Sequence, residues 1–164
     1  VSTVINVPSS LDDQGIEKIL EQLATVPADA PVLFDARHAR WGTPYGLTAM
    51  LTIGQTRGEK ATFSGPESDD VASYWARTGF YKHADGIFQL TGHVPRGRTP
   101  GESEVLLEVT PIAHSEDVHN VVAKIQHKAL TILQSLHIDS KATMGFAMTL
   151  SEACQNIIEH AGTG

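Results

Sequence analysis

Three polar residues near the carboxyl end of the chain, Glu152, Asn156 and His160, are spaced i, i+4 and i+8. On a helix, at about 100° per residue, they form one inclined ridge. A carboxylate placed there can take a proton from a water or a hydroxyl. One turn later, an amide oxygen can coordinate a hard cation such as Mg²⁺. Side by side, these two capacities suit the triphosphate end of a nucleotide. The plainer alternative is that Glu152, Asn156, Glu159 and His160 are the solvated side of an amphipathic helix, and spacing alone does not separate the two.

Other candidate chemistry gathers in the first half. Thr43 stands before Pro44, a pairing that suits a helix cap followed by the first helical position. A hydroxyl at a helix N-terminus is also a candidate phosphoacceptor, because the dipole and free N–H groups favour an anion. Arg37, His38 and Arg40 form a small basic patch beside it, able to draw a phosphate or simply to serve local ion pairs. Asp35 ends an apolar run, the position where sites collect in α/β sheets. Trp41 and Tyr45 flank the cap, either as exposed recognition residues or as core aromatics. Cys154 falls on an apolar helix face and is expected to be a buried, inert thiol. The eight histidines show no His-Glu-x-x-His spacing, so no metal site is expected from them. No nucleophile elbow, P-loop or dinucleotide fingerprint is present.

The elements that would hold these residues follow from periodicity. Thr3–Val7 and Pro31–Asp35 read as strands, the second as one buried on both faces. Ile16, Ile19, Leu20 and Leu23 keep helical spacing over 12–23. Leu47, Met50, Leu51 and Ile53 supply the stripe of the helix after Thr43. Lys60–Ser64 is another strand, and Ser68 is expected to cap a helix turning Val71, Tyr74 and Trp75 inward. The segment 80–90 reads as a strand pair turning at Asp85-Gly86. This alternation favours a mostly parallel or mixed sheet with covering helices. Residues 91–102 hold three Gly, two Pro and two Arg and read as a linker. Beyond it come a strand over 104–109, a long helix capped by Ser115 and a second helix from about Lys141 to Ala161. The long helix carries an apolar stripe from Val118 to Leu136.

Composition narrows the function classes. At 164 residues the chain suits one domain or one small domain plus part of another, and 41% apolar residues support a core. The net charge of −7 argues against a nucleic-acid partner, which needs clustered Lys and Arg. No stretch approaches the roughly 20 apolar residues that span a bilayer, so no membrane partner is expected. A single cysteine fits a reducing cytoplasm. A first residue of Val and a last of Gly164 read as a trimmed chain.

The segment from Leu150 to Ala161, with Glu152-x-x-x-Asn156-x-x-x-His160-Ala161, resembles the N-box of the ATPase superfamily that includes histidine kinases and gyrase, and most of all its anti-sigma-factor kinase branch. The resemblance covers about 104–164. It implies that Glu152 is the catalytic general base and that Asn156 belongs to the ATP site as the Mg²⁺ ligand, while His160 matches the motif without an assigned role. That family's Asp-x-Gly-x-Gly box and glycine-rich lid are absent from this sequence. ATP and Mg²⁺ are therefore expected of a full-length protein and not of this fragment. Residues 1–90 resemble STAS domains: after the strand ending at Asp35, the helix opens Thr43-Pro44-Tyr45-Gly46-Leu47. The switching members carry Asp-Ser-Ser-Gly-Leu there; here Gly-Leu is kept and the serine is missing, which leaves Thr43 as the phosphoacceptor candidate.

Together these resemblances imply an α/β fold: a STAS-like sheet with covering helices over 1–90, a linker over 91–103, and a strand and two helices from an incomplete kinase-like ATPase domain over 104–164. The implied function is a signalling regulator whose kinase domain is truncated here and inactive as this chain, with an anti-anti-sigma or sigma-like protein as partner. A non-catalytic interaction scaffold is the alternative. The uncovered apolar faces of the C-terminal helices imply either docking onto the N-terminal domain or a homodimer.

Overall fold

The computed structural model describes residues 2–95 and 108–161. The chain divides into two compact units, Val1–Gly101 and Glu102–Gly164.

In the N-terminal unit, β1 (Thr3–Asn6), β3 (Val32–Asp35), β5 (Thr62–Ser64) and β6 (Gln89–Thr91) form one sheet in that order, and every neighbouring pair is parallel. Strand order follows chain order, so crossovers of the usual right-handed sense stack the connecting helices on one face. That face carries Ile5, Phe34 and Phe63, all buried. The other face is partly open: Val4 is 49% exposed, and Leu33 and Asp35 are half-buried. The strand over 32–35 is therefore not buried on both faces as its apolar run suggests, because the helices described within its own unit stack on one side of the sheet.

The covering helices are α1 (Asp13–Leu23), α2 (Pro44–Gln55), α3 (Asp69–Arg77) and α4 (Phe80–Ile87). Asp12 caps α1 by accepting from the Gly15 amide at 2.9 Å. Two short segments, β2 (Ser10–Leu11) and β4 (Trp41–Gly42), pair in parallel beside the main sheet. They bring the start of α1 and the start of α2 together. At the outer edge of β1, the Gln22 side chain accepts from the Asn6 amide at 2.8 Å and donates to the Asn6 carbonyl at 2.9 Å.

Two expectations about this unit need correction. The strand pair over 80–90 is instead helix α4 followed by a single strand, β6, parallel to β5. Phe80, Tyr81, Ala84 and Phe88 are buried at helical spacing, and Asp85 and Gly86 lie exposed on the outer side. In α3, the residues that reach the core are Ala72 and Trp75, whereas Val71 and Tyr74 are only half-buried. Ser68 stands at the cap position of α3 without a side-chain capping bond. The core is a cluster of rings: Phe63 lies 5.1 Å from Phe88, 5.5 Å from Phe80 and 6.4 Å from Trp75 between centroids.

The second unit contains α5 (Ser115–Ser135) and α6 (Ser140–Ala161). Residues 104–107 of the expected strand lie outside the described residues, and Glu108 and Val109 belong to no strand. The start of α5 is closed by Asp117, whose Oδ2 accepts from the amides of Ala113 and His114. The helix ends with His137 in the left-handed region (φ 57°), and Ile138 N–H donates to the Leu133 carbonyl at 2.9 Å. This is the six-to-one bond of a Schellman turn. Asp139 then caps α6 through the Ala142 amide. Val118, Val122 and Cys154 form the buried centre of this unit, with Ile112 and Leu150 against them. The stripe of α5 opens toward its end, where Leu136 is 63% exposed.

Candidate functional site

Within α6, Thr143, Ala147 and Cys154 are buried and define the inward stripe. Glu152 and Asn156 are exposed, and at about 100° per residue they lie roughly opposite that stripe. Glu152 and Asn156 of the expected ridge therefore lie on a helix and face water. The His160 side chain falls outside the described ones. Hard oxygen donors one turn apart fit a Mg²⁺–phosphate group in kind. The buried Cys154 agrees with its expected place on the apolar face.

The second candidate is the loop region at the carboxyl ends of β1 and β3. Arg37 pairs with Asp35 through both guanidinium ends, Nε to Oδ1 at 2.9 Å and Nη2 to Oδ2 at 2.7 Å. This fork sets one cation of the expected basic patch against a carboxylate in bidentate geometry, which offsets its charge toward an external phosphate, although the side chain stays 51% exposed. His38 and Arg40 are exposed. Trp41 and Tyr45 are exposed, at 54% and 60%, which resolves their two readings in favour of the surface. Trp41 stacks on Tyr74 at 5.5 Å and 13°.

Thr43 is engaged on both sides. Its Oγ1 accepts from the Gly46 amide at 3.0 Å and its hydroxyl donates to the Leu11 carbonyl at 3.3 Å. Pro44 occupies the first turn of α2 beside it. The cap is thus shown directly, and phosphorylation would have to release the hydroxyl from Leu11. Thr43→Ala is expected to lower stability by about 1 kcal/mol, and Thr43→Ser by much less, because serine keeps the accepting oxygen. Chemical denaturation of both variants checks this.

Among the described residues, the carboxyls of Asp35, Asp12 and Asp117 are held below the usual carboxylate range. The Arg37 guanidinium lowers Asp35, the Ser10 hydroxyl and the Gly15 amide lower Asp12, and the His114 and Ala113 amides lower Asp117. A depressed folded-state value adds stability above the ordinary carboxylate pKa of about 4, and that stability is lost as pH falls through the lowered values. Melting temperature is therefore expected to hold from neutral pH down to about pH 4 and to drop below it. Asp35→Asn should flatten the acid limb. A melting temperature that rises on acidification would contradict the assignment.

Among the described residues, no group of three or more His, Cys, Asp or Glu converges to hold a metal ion. No described helix is long and apolar enough to cross a membrane. A feature that sequence reading misses is a shallow apolar groove between α1 and α2, lined by Ile16, Leu20, Tyr45, Thr48, Ala49, Thr52 and Ile53. Its one sequence signal is Leu20, which belongs to the helical stripe yet is 51% exposed.

These observations define a mixed α/β protein: a parallel four-stranded sheet with its helices, and a second unit whose two helices pack on each other. The chain matches no family model, and neither a curated protein nor a solved structure is significantly similar to it.

Proposed function

We propose that the chain is a signalling regulator in which a STAS-like module, residues 1–90, is joined to part of an ATP-binding Ser/Thr kinase domain of the anti-sigma-factor type, residues 104–164. The observation that carries this reading is the exposed pair Glu152 and Asn156, one turn apart on α6 and opposite its buried stripe. Asn156 would hold Mg²⁺ through its amide oxygen, and Glu152 would accept the hydroxyl proton of a partner's Ser or Thr. Bound Mg·ATP supplies the phosphoryl group. The partner is a protein of the anti-anti-sigma or sigma-like kind. The STAS-like reading draws support from the parallel α/β order and from the capped helix start at Thr43-Pro44.

Residues 1–164 hold no Asp-x-Gly-x-Gly box, so the chain alone is expected to give no micromolar Mg·ATP binding by calorimetry. The full-length gene product is expected to bind Mg·ATP. Asn156→Ala should weaken that binding about tenfold or more, equivalent to about 1.4 kcal/mol, and Glu152→Gln should bind ATP while losing phosphotransfer to the partner. ATP binding indifferent to Asn156→Ala, or a gene product without glycine-rich boxes, sinks the kinase reading.

A second reading, a non-catalytic interaction scaffold, is favoured by Met144 and Met148, both exposed and one turn apart on α6. Large apolar side chains grouped on one exposed helix mark interaction surfaces.

A further inference from the structure

The groove between α1 and α2 encloses about 360 Å³, with Ile16 and Ile53 buried as its floor. Leu20 and Tyr45, at 51% and 60% exposure, stand at its rim as large hydrophobes that folding leaves in water. Thr48 and Thr52 look polar in the sequence but act otherwise. The Thr48 hydroxyl donates to the Pro44 carbonyl at 2.8 Å and the Thr52 hydroxyl to the Thr48 carbonyl at 3.2 Å. With their donors turned back onto their own helix, what these residues add to the surface is chiefly methyl groups.

The two banks differ in charge. Helix α2 carries no charged residue from Pro44 to Gln55. On α1, Asp13, Glu17 and Glu21 are all exposed at i, i+4 and i+8. At about 100° per residue Asp13 lies about 40° from the direction shared by Ile16 and Leu20, Glu17 about 80° and Glu21 about 120°, so the ridge starts at the flank of the groove and turns away from it. Like charges at this spacing destabilise a helix. Among the described residues, none of the three makes an ion pair.

We infer that this face docks a cationic amphipathic helix of a partner protein, with the apolar stripe in the groove and Lys or Arg along the acidic ridge. Helix-in-groove recognition needs an apolar trough read by i, i+3, i+4 anchors, and complementary charge fixes the orientation of the incoming helix. A second copy of this chain fits poorly, because a two-fold contact through the groove would bring the same acidic ridge from both sides. An anionic lipid surface is repelled by the same ridge. The inference concerns the N-terminal unit and does not rest on the nucleotide reading; its test involves no ATP.

The probe is a blocked peptide of about 18 residues, long enough to hold a helix, with Leu at i, i+3 and i+4 positions and Lys elsewhere. Its twin carries Glu in place of Lys. With the 164-residue chain, the Lys peptide is expected to bind saturably, more weakly at high salt, and to shift the amide resonances of α1 and α2. The Glu peptide should not bind. The double variant Leu20→Ser/Tyr45→Ser, made at exposed positions, should bind at least about tenfold more weakly with an unchanged melting temperature. Glu17→Lys/Glu21→Lys should transfer preference to the Glu peptide. Resonance shifts confined to other elements, equal binding of both peptides, or affinity unmoved by either double variant would overturn the inference. So would a dimer in sedimentation equilibrium that Leu20→Ser/Tyr45→Ser dissociates, which would assign the face to a second copy.

Discussion

Replacing Gly46 by alanine is expected to destabilise the N-terminal unit by about 3 kcal/mol or more, the upper range for forcing an atom into a packed interior. A Cβ at this position would lie 2.0 Å from the Leu11 carbonyl oxygen and 2.6 Å from its carbon. These are backbone atoms and cannot rotate away. The same oxygen accepts from the Thr43 amide at 3.0 Å and from the Thr43 hydroxyl, so retreat of Leu11 would break the latch that starts α2. Gly46 is therefore required by close approach rather than by its backbone angles. Gly86→Ala provides the contrast, since nothing lies within 4 Å of an added Cβ there. In the exposed turn of α4 it should be neutral or stabilising by up to about 1 kcal/mol. Urea denaturation of the two variants distinguishes them, and a Gly46→Ala protein as stable as its parent would show that α2 does not sit on β2 as described.

The second large effect is expected at Phe63. This fully buried ring is in the middle of β5 and contacts the rings of Trp75, Phe80 and Phe88, while Phe88 in turn meets Phe34 edge-on at 5.9 Å. Phe63→Ala removes the shared neighbour of three rings that come from α3, α4 and the chain after α4. The loss should be about 3–5 kcal/mol, the range for truncating a buried aromatic, which is a large share of the 5–15 kcal/mol typical of a whole domain. Trp41→Ala, which also breaks an aromatic stack, should cost under about 1 kcal/mol because Trp41 is mostly in water. Denaturant midpoints measure both, and a Phe63→Ala protein within 1 kcal/mol of the parent would mean that the ring cluster collapses readily around the gap.

Where local signals and burial agreed, the elements could be read from the chain. The Thr43-Pro44 pair states its own cap, and the stripes of α1, α2 and α6 follow helical spacing. Helix α4 was obscured by Asp85-Gly86, a strong hairpin signal whose residues are harmless on the solvent side of a helix. In α3 the inward position is taken by Ala72, too small to announce itself between Val71 and Tyr74. The pairing of β2 with β4 was invisible because two-residue strands have no period; it depends on where α1 and α2 begin. The polar ridge of α6 was legible because it lies on one helix. The α1–α2 groove was not, because its two walls are separated by β3 and β4 in the chain and its threonines hide their hydroxyls.

The side-chain amide of Gln22 occupies the outward hydrogen-bonding positions of Asn6 as a neighbouring strand would. A foreign chain seeking to extend the sheet past β1 must first evict that amide. The N-terminal unit thus carries a built-in stopper against self-templated sheet growth on the side where its first strand would otherwise invite it.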